Sequence, residues 1–318
     1  MDSRAQAQEA IGAGLVTVDG APALKSSTQI TSTQQVALAS PPRRFVSRGG
    51  DKLAHALTTF DLEVAGRRCL DAGASTGGFT DCLLQHGAAH VLAYDVGYGQ
   101  IHERLRTDER VTVAERTNVR ELTADQVPPP APELVVADLS FISLTSVLPV
   151  LRAVASDEAE ALVLVKPQFE AERADVGKGG VVRDPEVWRR CLRRVALGAR
   201  AVGWTTAGAT ASALLGPAGN VEFLLHLSPA PVDDRDDGAG DDHGDGDGDA
   251  VEVGDDHGGE HGDAVEVGDD HGGEHGDAVE VPAAPSDTLP DEVEERLAAA
   301  VADGISLREG STTLEASR

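Results

Sequence analysis

The sequence predicts an α/β fold built on an open, mostly parallel sheet, and three observations carry that reading. Apolar-continuous strands at 68–71, VLAYDV (91–96), VTVAER (111–116), ELVVADLS (133–140) and ALVLVKP (161–167) alternate with helical stretches. Such strands suit a sheet covered on both faces. The run CLDAGASTGGFTD (69–81) reads as a strand end, a tight glycine turn from Gly73 to Gly78, and a helix opening at Phe79. That order is the nucleotide-binding layout of open α/β sheets. Finally, TTAGATAS (205–212) and NVEFLLHLS (220–228), split by GPAG, read as a closing pair of strands. Together these give seven strands, the last antiparallel.

The glycine turn lets a ligand approach the backbone, and the helix behind it presents unpaired N–H groups. Its spacing, GxSTGG, is not the dinucleotide GxGxxG. A nicotinamide dehydrogenase is therefore disfavoured.

Charge divides the chain. Residues 231–318 hold 28 acidic and 4 basic side chains, so nearly all of the formal charge of −27 sits there. The preceding part is close to neutral and has room for basic patches. Three cysteines without a CxxC pattern (Cys69, Cys82, Cys191) argue against a disulfide framework or a zinc site. No apolar run reaches membrane-spanning length and no signal peptide is visible, so a cytoplasmic protein is expected. Only four basic residues are lysines: Lys25, Lys52, Lys166 and Lys178. Lysine can shed its proton where arginine cannot, which singles out the last three as catalytic candidates.

Along the chain, residues 1–40 form a small unit, with a short helix from about Ser3 to Gly12 and a strand at VTVDG. PPRRFVSRGG (41–50) reads as a basic linker, with Arg43, Arg44 and Arg48 around Phe45. One aromatic among arginines suits nucleic acid, and a merely solvated linker suits it equally. A helix from Asp51 carries Leu53, Leu57 and Phe60 on one face. Helix 185–202 sets Arg189, Arg190, Arg193 and Arg194 on one side, which reads as a solvated face rather than an RNA contact. Beyond Ser228 order is expected to end. GDAVEVGDDHGGEH repeats with a period of 14, too charged and too poor in apolar residues to fold. A short helix at Asp291–Ala302 would be marginal in isolation. Removing everything after Pro229 is accordingly expected to leave stability unchanged.

Ligands of open α/β sheets lie beyond the carboxyl ends of the strands. Asp95 ends the second strand, where an acidic residue accepts ribose hydroxyls, Asp138 the fourth and Lys166 the fifth. An antiparallel last strand would bring Glu222 to the same edge, and Lys52 lies just ahead of the sheet.

The runs SRGGDKL, LDAGASTGGFTD, VVADLSFISL, LVKPQFE, VGKGGVVRDP and GNVEFLLHL resemble those of the TlyA family. These are S-adenosylmethionine-dependent ribosomal RNA cytidine 2′-O-methyltransferases, often called haemolysins, with an FtsJ/RrmJ-like catalytic domain. The resemblance spans about 3–228. It implies a Rossmann-like methyltransferase domain at 51–229 and a Lys-Asp-Lys-Glu tetrad at Lys52, Asp138, Lys166 and Glu222. It also implies cofactor contacts from Asp71, Gly73, Ser75, Thr76, Gly77, Gly78, Phe79, Asp95 and Asn118. RNA contacts are expected from Arg4, Arg43, Arg44, Arg48, Lys178 and Arg183, with ribosomal RNA as partner and no metal. The N-terminal residues resemble the later part of an S4 RNA-binding domain whose first helix is missing here. The true start is expected upstream of Met1. The rival reading is an RNA- or ribosome-binding assembly factor with little transferase activity.

Overall fold

A computed structural model describes residues 4–12, 15–23, 25–38, 44–230 and 288–316. At the N-terminus, α1 (Arg4–Gly12) precedes a three-stranded antiparallel sheet of β1 (Val16–Val18), β2 (Ala21–Pro22) and β3 (Val36–Leu38), with β1 central. Asp19 and Gly20, both at positive φ, make the β1–β2 turn.

The larger sheet has seven strands. In chain order they are β4 (Arg68–Ala72), β5 (His90–Tyr94), β6 (Val111–Ala114), β7 (Leu134–Ala137), β8 (Glu160–Val165), β9 (Trp204–Ala211) and β10 (Phe223–Pro229). Across the sheet they run β6-β5-β4-β7-β8-β10-β9. The first five are mutually parallel, and β10 is antiparallel to both of its neighbours. The parallel strands stop one residue short of Gly73, Asp95, Asp138 and Lys166, earlier than their apolar runs suggest. The residues past each stop leave the ladder to line a cleft.

Alternation on the strands splits the core into two layers. One face packs α2 (Gly49–Thr59) and α3 (Gly78–Gln85), with Leu53, Leu83, Leu164 and Leu224 buried; short α4 (Glu103–Arg106) adds Leu105. The other packs α5 (Leu148–Val154) and α7 (Pro185–Ala201), with Trp188, Leu192, Phe223 and Leu225 buried. A single turn, α6 (Pro167–Glu170), follows β8.

Three expectations change. Phe45 is 2% exposed and belongs to the α2–α3 layer. Its ring lies so near Gly50 that any side chain there would collide with it, so Phe45 and Gly50 belong to the core. The arginines of α7 keep the solvated face read from the sequence, but they are paired rather than free. Arg189 pairs with Glu186, Arg190 with Asp175 and Arg193 with Glu294, while Arg194 donates to the carbonyl of Glu170.

The third change concerns the C-terminus. A helix α8 spans Asp291–Ala316, and Val293, Leu297, Ala300, Val301 and Gly304 form its buried stripe. It rests on β9 and α7 in the same layer as Trp188 and Phe223. Marginal helices persist when an amphipathic face is buried, and this one has a prepared seat. Arg200 donates to the Thr288 carbonyl, and Arg296 to that of Thr206. The repeat itself lies outside the described residues. Its flanks, Ala230 and Thr288, are tied to the end of α7 and the turn after it, through Arg200 to Thr288 and the Gly203 carbonyl to Ala230.

Cutting after Pro229 is therefore expected to lower the melting temperature, contrary to the sequence expectation. Leu297→Ala alone is expected to cost about 2–5 kcal/mol, since the side chain is fully buried. Denaturant unfolding of the full chain and the variant checks this.

Candidate active site

The glycine turn forms because its backbone has no room for anything else. Gly73 sits at φ +85°, and a Cβ there would come within 2.7 Å of the Asp138 carbonyl oxygen. Gly77, at φ +93°, is pressed against Leu105, and Gly78 against Ser47. All three glycines thus serve packing within the protein, which sequence reasoning missed. Ser75, at φ +48°, completes the turn.

Asp95 holds that turn from the next strand. Its Oδ2 accepts from the Ser75 N–H at 2.8 Å and its Oδ1 from the Gly97 N–H at 2.6 Å. Each oxygen retains a lone pair for a further donor. Asn118 stands opposite, its Oδ1 accepting from the Arg120 N–H and its Nδ2 donating to Glu121.

Two hollows meet at the carboxyl ends of the strands. One of about 390 Å³ is lined by Asp95, Gln100, Asn118, Val119, Leu139 and Phe141. The other, about 320 Å³, is lined by Arg48, Lys52, Thr76, Phe79, Lys166 and Pro217. Gly73, Ser75, Asp138 and Ser140 line both, so they form one cleft. Phe141 stands at its mouth, 90% exposed, at φ +65°, with its ring centroid 5.0 Å from that of Phe169.

Two lysine–carboxylate pairs face this cleft. Lys52, reaching in from α2, is bonded to Glu222, whose side chain is almost wholly buried. Lys166 contacts Asp138 Oδ1 at 2.6 Å and donates to Ser140 Oγ at 2.9 Å. Antiparallel pairing of Phe223 with Val165 makes Glu222 the neighbour of Lys166 across two strands. Buried ion pairs are a poor source of stability, because desolvation offsets their attraction. One buried pair and one half-buried pair at the same cleft call for another explanation. Ser140 was not singled out from sequence; a hydroxyl two positions past Asp138 was the available signal.

Not every candidate reaches the cleft. Asp71 is fully buried beneath the turn and accepts from Thr80 Oγ1 at 2.6 Å, pinning the start of α3. Glu170, also missed, accepts from Ser143 Oγ and the Leu144 N–H and so ties the loop carrying Ser140 and Phe141 to α6. Burial raises its carboxyl. Arg48, Lys178 and Arg183 are exposed, and only Arg48 lines the cleft. The guanidinium of Arg44 lies over the Phe45 ring. Arg43 and the Arg4 side chain lie outside the described residues. Among the described residues no cluster of His, Cys, Asp or Glu could hold a metal.

With this geometry in hand, comparison with known proteins gives a coherent answer. The FtsJ-like methyltransferase family matches residues 45–228. The 16S/23S rRNA (cytidine-2′-O)-methyltransferase TlyA of Mycobacterium tuberculosis is 54% identical over 226 residues, covering 71% of this chain and 84% of that protein. The chain belongs to the TlyA family. Hemolysin A of Brachyspira hyodysenteriae is 39% identical, over 71% of this chain and 94% of its own. A solved putative hemolysin from Streptococcus thermophilus aligns at TM-score 0.59 with 39% identity, covering 73% of this chain and 84% of that one. No helix among the described residues of this TlyA-family chain is long and apolar enough to cross a membrane. The FtsJ-like match encloses both ion pairs and stops short of α8.

One pH dependence follows from Asp71. Burial pushes its carboxyl up to about 7 against the opposing hydrogen bond from Thr80. Between about pH 4 and 7 the folded state then binds more protons than the unfolded one, so stability falls as pH rises. Asp71→Asn is expected to flatten that slope, gaining on the wild type in melting temperature between pH 5 and 8.

Proposed function

We propose that this protein methylates the 2′-oxygen of a cytidine ribose in ribosomal RNA, using S-adenosylmethionine. The observation that carries this reading is the convergence of Lys52–Glu222 and Lys166–Asp138 on one cleft beside a glycine turn. The lining suits the cofactor. Asp95 keeps free lone pairs for ribose hydroxyls, and Leu139, Ile142 and Val147 supply an apolar wall for adenine. S-adenosylmethionine supplies an electrophilic methyl on a positively charged sulfur.

The protein's remaining tasks are to align a weak hydroxyl nucleophile and to take one proton. An ammonium has three donors. Lys166 donates one to Ser140 and stands in ion-pair contact with Asp138, leaving a donor for the ribose oxygen. As the free amine Lys166 can accept the hydroxyl proton, and the ammonium so formed pairs with Asp138. Lys52, held by Glu222, lies close enough to steady the oxygen as it gains charge. Arg48 at the cleft, with Lys178 and Arg183 on the neighbouring segment, offers positive charge to the phosphates. Val182 donates to Asn220, which donates to the Gly180 carbonyl, so that segment is fixed beside Glu222. The exposed ring of Phe141 offers a surface for a base.

The test is methyl transfer from labelled cofactor to purified ribosomal subunits, with mapping of the modified ribose. Lys166→Arg keeps positive charge but cannot deprotonate, so transfer should be lost while cofactor affinity holds. Wild-type turnover in that variant would rule out proton abstraction by Lys166. Asp95→Ala should weaken cofactor binding by about 1.5–3 kcal/mol, measured by calorimetry.

A further inference from the structure

The helix beyond the matched domain touches the frame that carries Glu222. Val221 and Phe223 flank Glu222 and both face the layer that holds α8. Their partner there is Gly304, where a Cβ would stand 2.9 Å from Val221 Cγ1 and 3.0 Å from Phe223 Cε1. A glycine at that helix position lets two backbones approach where any side chain would hold them apart. The Phe223 ring is braced from the other side by Trp188, at 5.8 Å between centroids.

A second grip lies one turn further on. Arg308 donates to the Arg183 carbonyl at 2.7 Å. The strand of chain ending at Arg183 is in turn bonded to Asn220, through the Val182 N–H and the Gly180 carbonyl. Asn220 stands two residues before Glu222. The helix therefore holds the Glu222 segment both directly, at Gly304, and through residues 180–183.

We propose that α8 is a positioning element of the methyl-transfer site: its seat at Gly304 and Arg308 fixes Glu222, and through Glu222 the Lys52 ammonium at the cleft. This rests on the functional reading above. Lys52 reaches the cleft from α2, on the opposite face of the sheet, so Glu222 is where its position is set from the α8 side. A displacement of the order of 1 Å at a positioning group can lower a rate about a hundredfold. The helix lies far along the chain from the residues it would hold, after the acidic repeat.

The experiment uses the full chain with three single substitutions. Gly304→Val forces α8 away from Val221 and Phe223. Arg308→Ala removes the second grip without crowding. Gly310→Ala, at a helix position with open space around it, is the control. Two readouts are taken: methyl transfer to ribosomal subunits, and acetylation of Lys52 by acetic anhydride, followed by mass spectrometry against exposed Lys178.

Gly304→Val is expected to lower kcat about tenfold or more, and Arg308→Ala by less. KM for RNA and Kd for S-adenosylmethionine should stay within about twofold of wild type. Lys52 should become more reactive in both variants and stay protected in Gly310→Ala. Wild-type kcat and wild-type Lys52 protection in both variants would overturn the proposal. So would an equal loss of cofactor affinity, which marks general loosening. If the wild-type chain methylates no ribosomal RNA, the functional reading falls, while Lys52 protection still decides the role of α8.

Discussion

The antiparallel entry of β10 between β8 and β9 is the constraint on which the site depends. In a purely parallel sheet every strand would deliver its carboxyl end to the cleft, and the start of a strand could contribute nothing. Because β10 runs the other way, its first residues arrive where β8 ends, with Phe223 opposite Val165. Glu222 is thereby set beside Lys166 although 56 positions separate them in the sequence. A register slip of one residue would turn Glu222 into the apolar layer and Phe223 toward the cleft. Phe223 is fully buried against Trp188, so that slip is strongly opposed. Hydrophobic packing on one face thus fixes ionic chemistry on the other.

The same logic holds at the glycine turn. Gly73 lies against the Asp138 backbone, so β4 and β7 close to a distance that no side chain would permit. Asp95 then clamps the turn from β5 by taking the Ser75 N–H. The two hollows share residues because three strand ends are drawn this tightly together. Preorganisation of this kind costs little at the moment of reaction, since the dipoles and charges are already in place.

Charge is segregated in a way that composition alone conceals. Overall acidity belongs to residues 231–318, whereas the exposed Arg48 lines the cleft. The arginines of α7 read in the sequence as a solvated face. In the fold they are drawn to Glu186, Asp175, Glu294 and the Glu170 carbonyl. For Arg193 that partner, Glu294, comes from α8, in the region where order was expected to end.

The sequence by itself determined the larger sheet, its strand count and the edge at which the two lysine–carboxylate pairs gather. Alternating apolar runs and turns are local signals, and strand ends inherit their position from them. Lys52, Asp138, Lys166 and Glu222 were legible because each follows or precedes such a run, or sits on the helix ahead of them, and because lysine is rare in this chain. Tertiary structure alone decided matters that depend on what a residue meets across the fold. Phe45 among arginines reads equally as a nucleic-acid contact or as part of a solvated linker until Gly50 and the α2–α3 layer enclose it. Asp71 reads as a ligand contact until burial and Thr80 claim it. The apolar stripe Val293–Leu297–Ala300–Val301–Gly304 was visible, but an isolated helix of that composition is marginal. Its stability comes from the β9–α7 face, formed by residues about a hundred positions earlier, and no local pattern can announce a partner that distant.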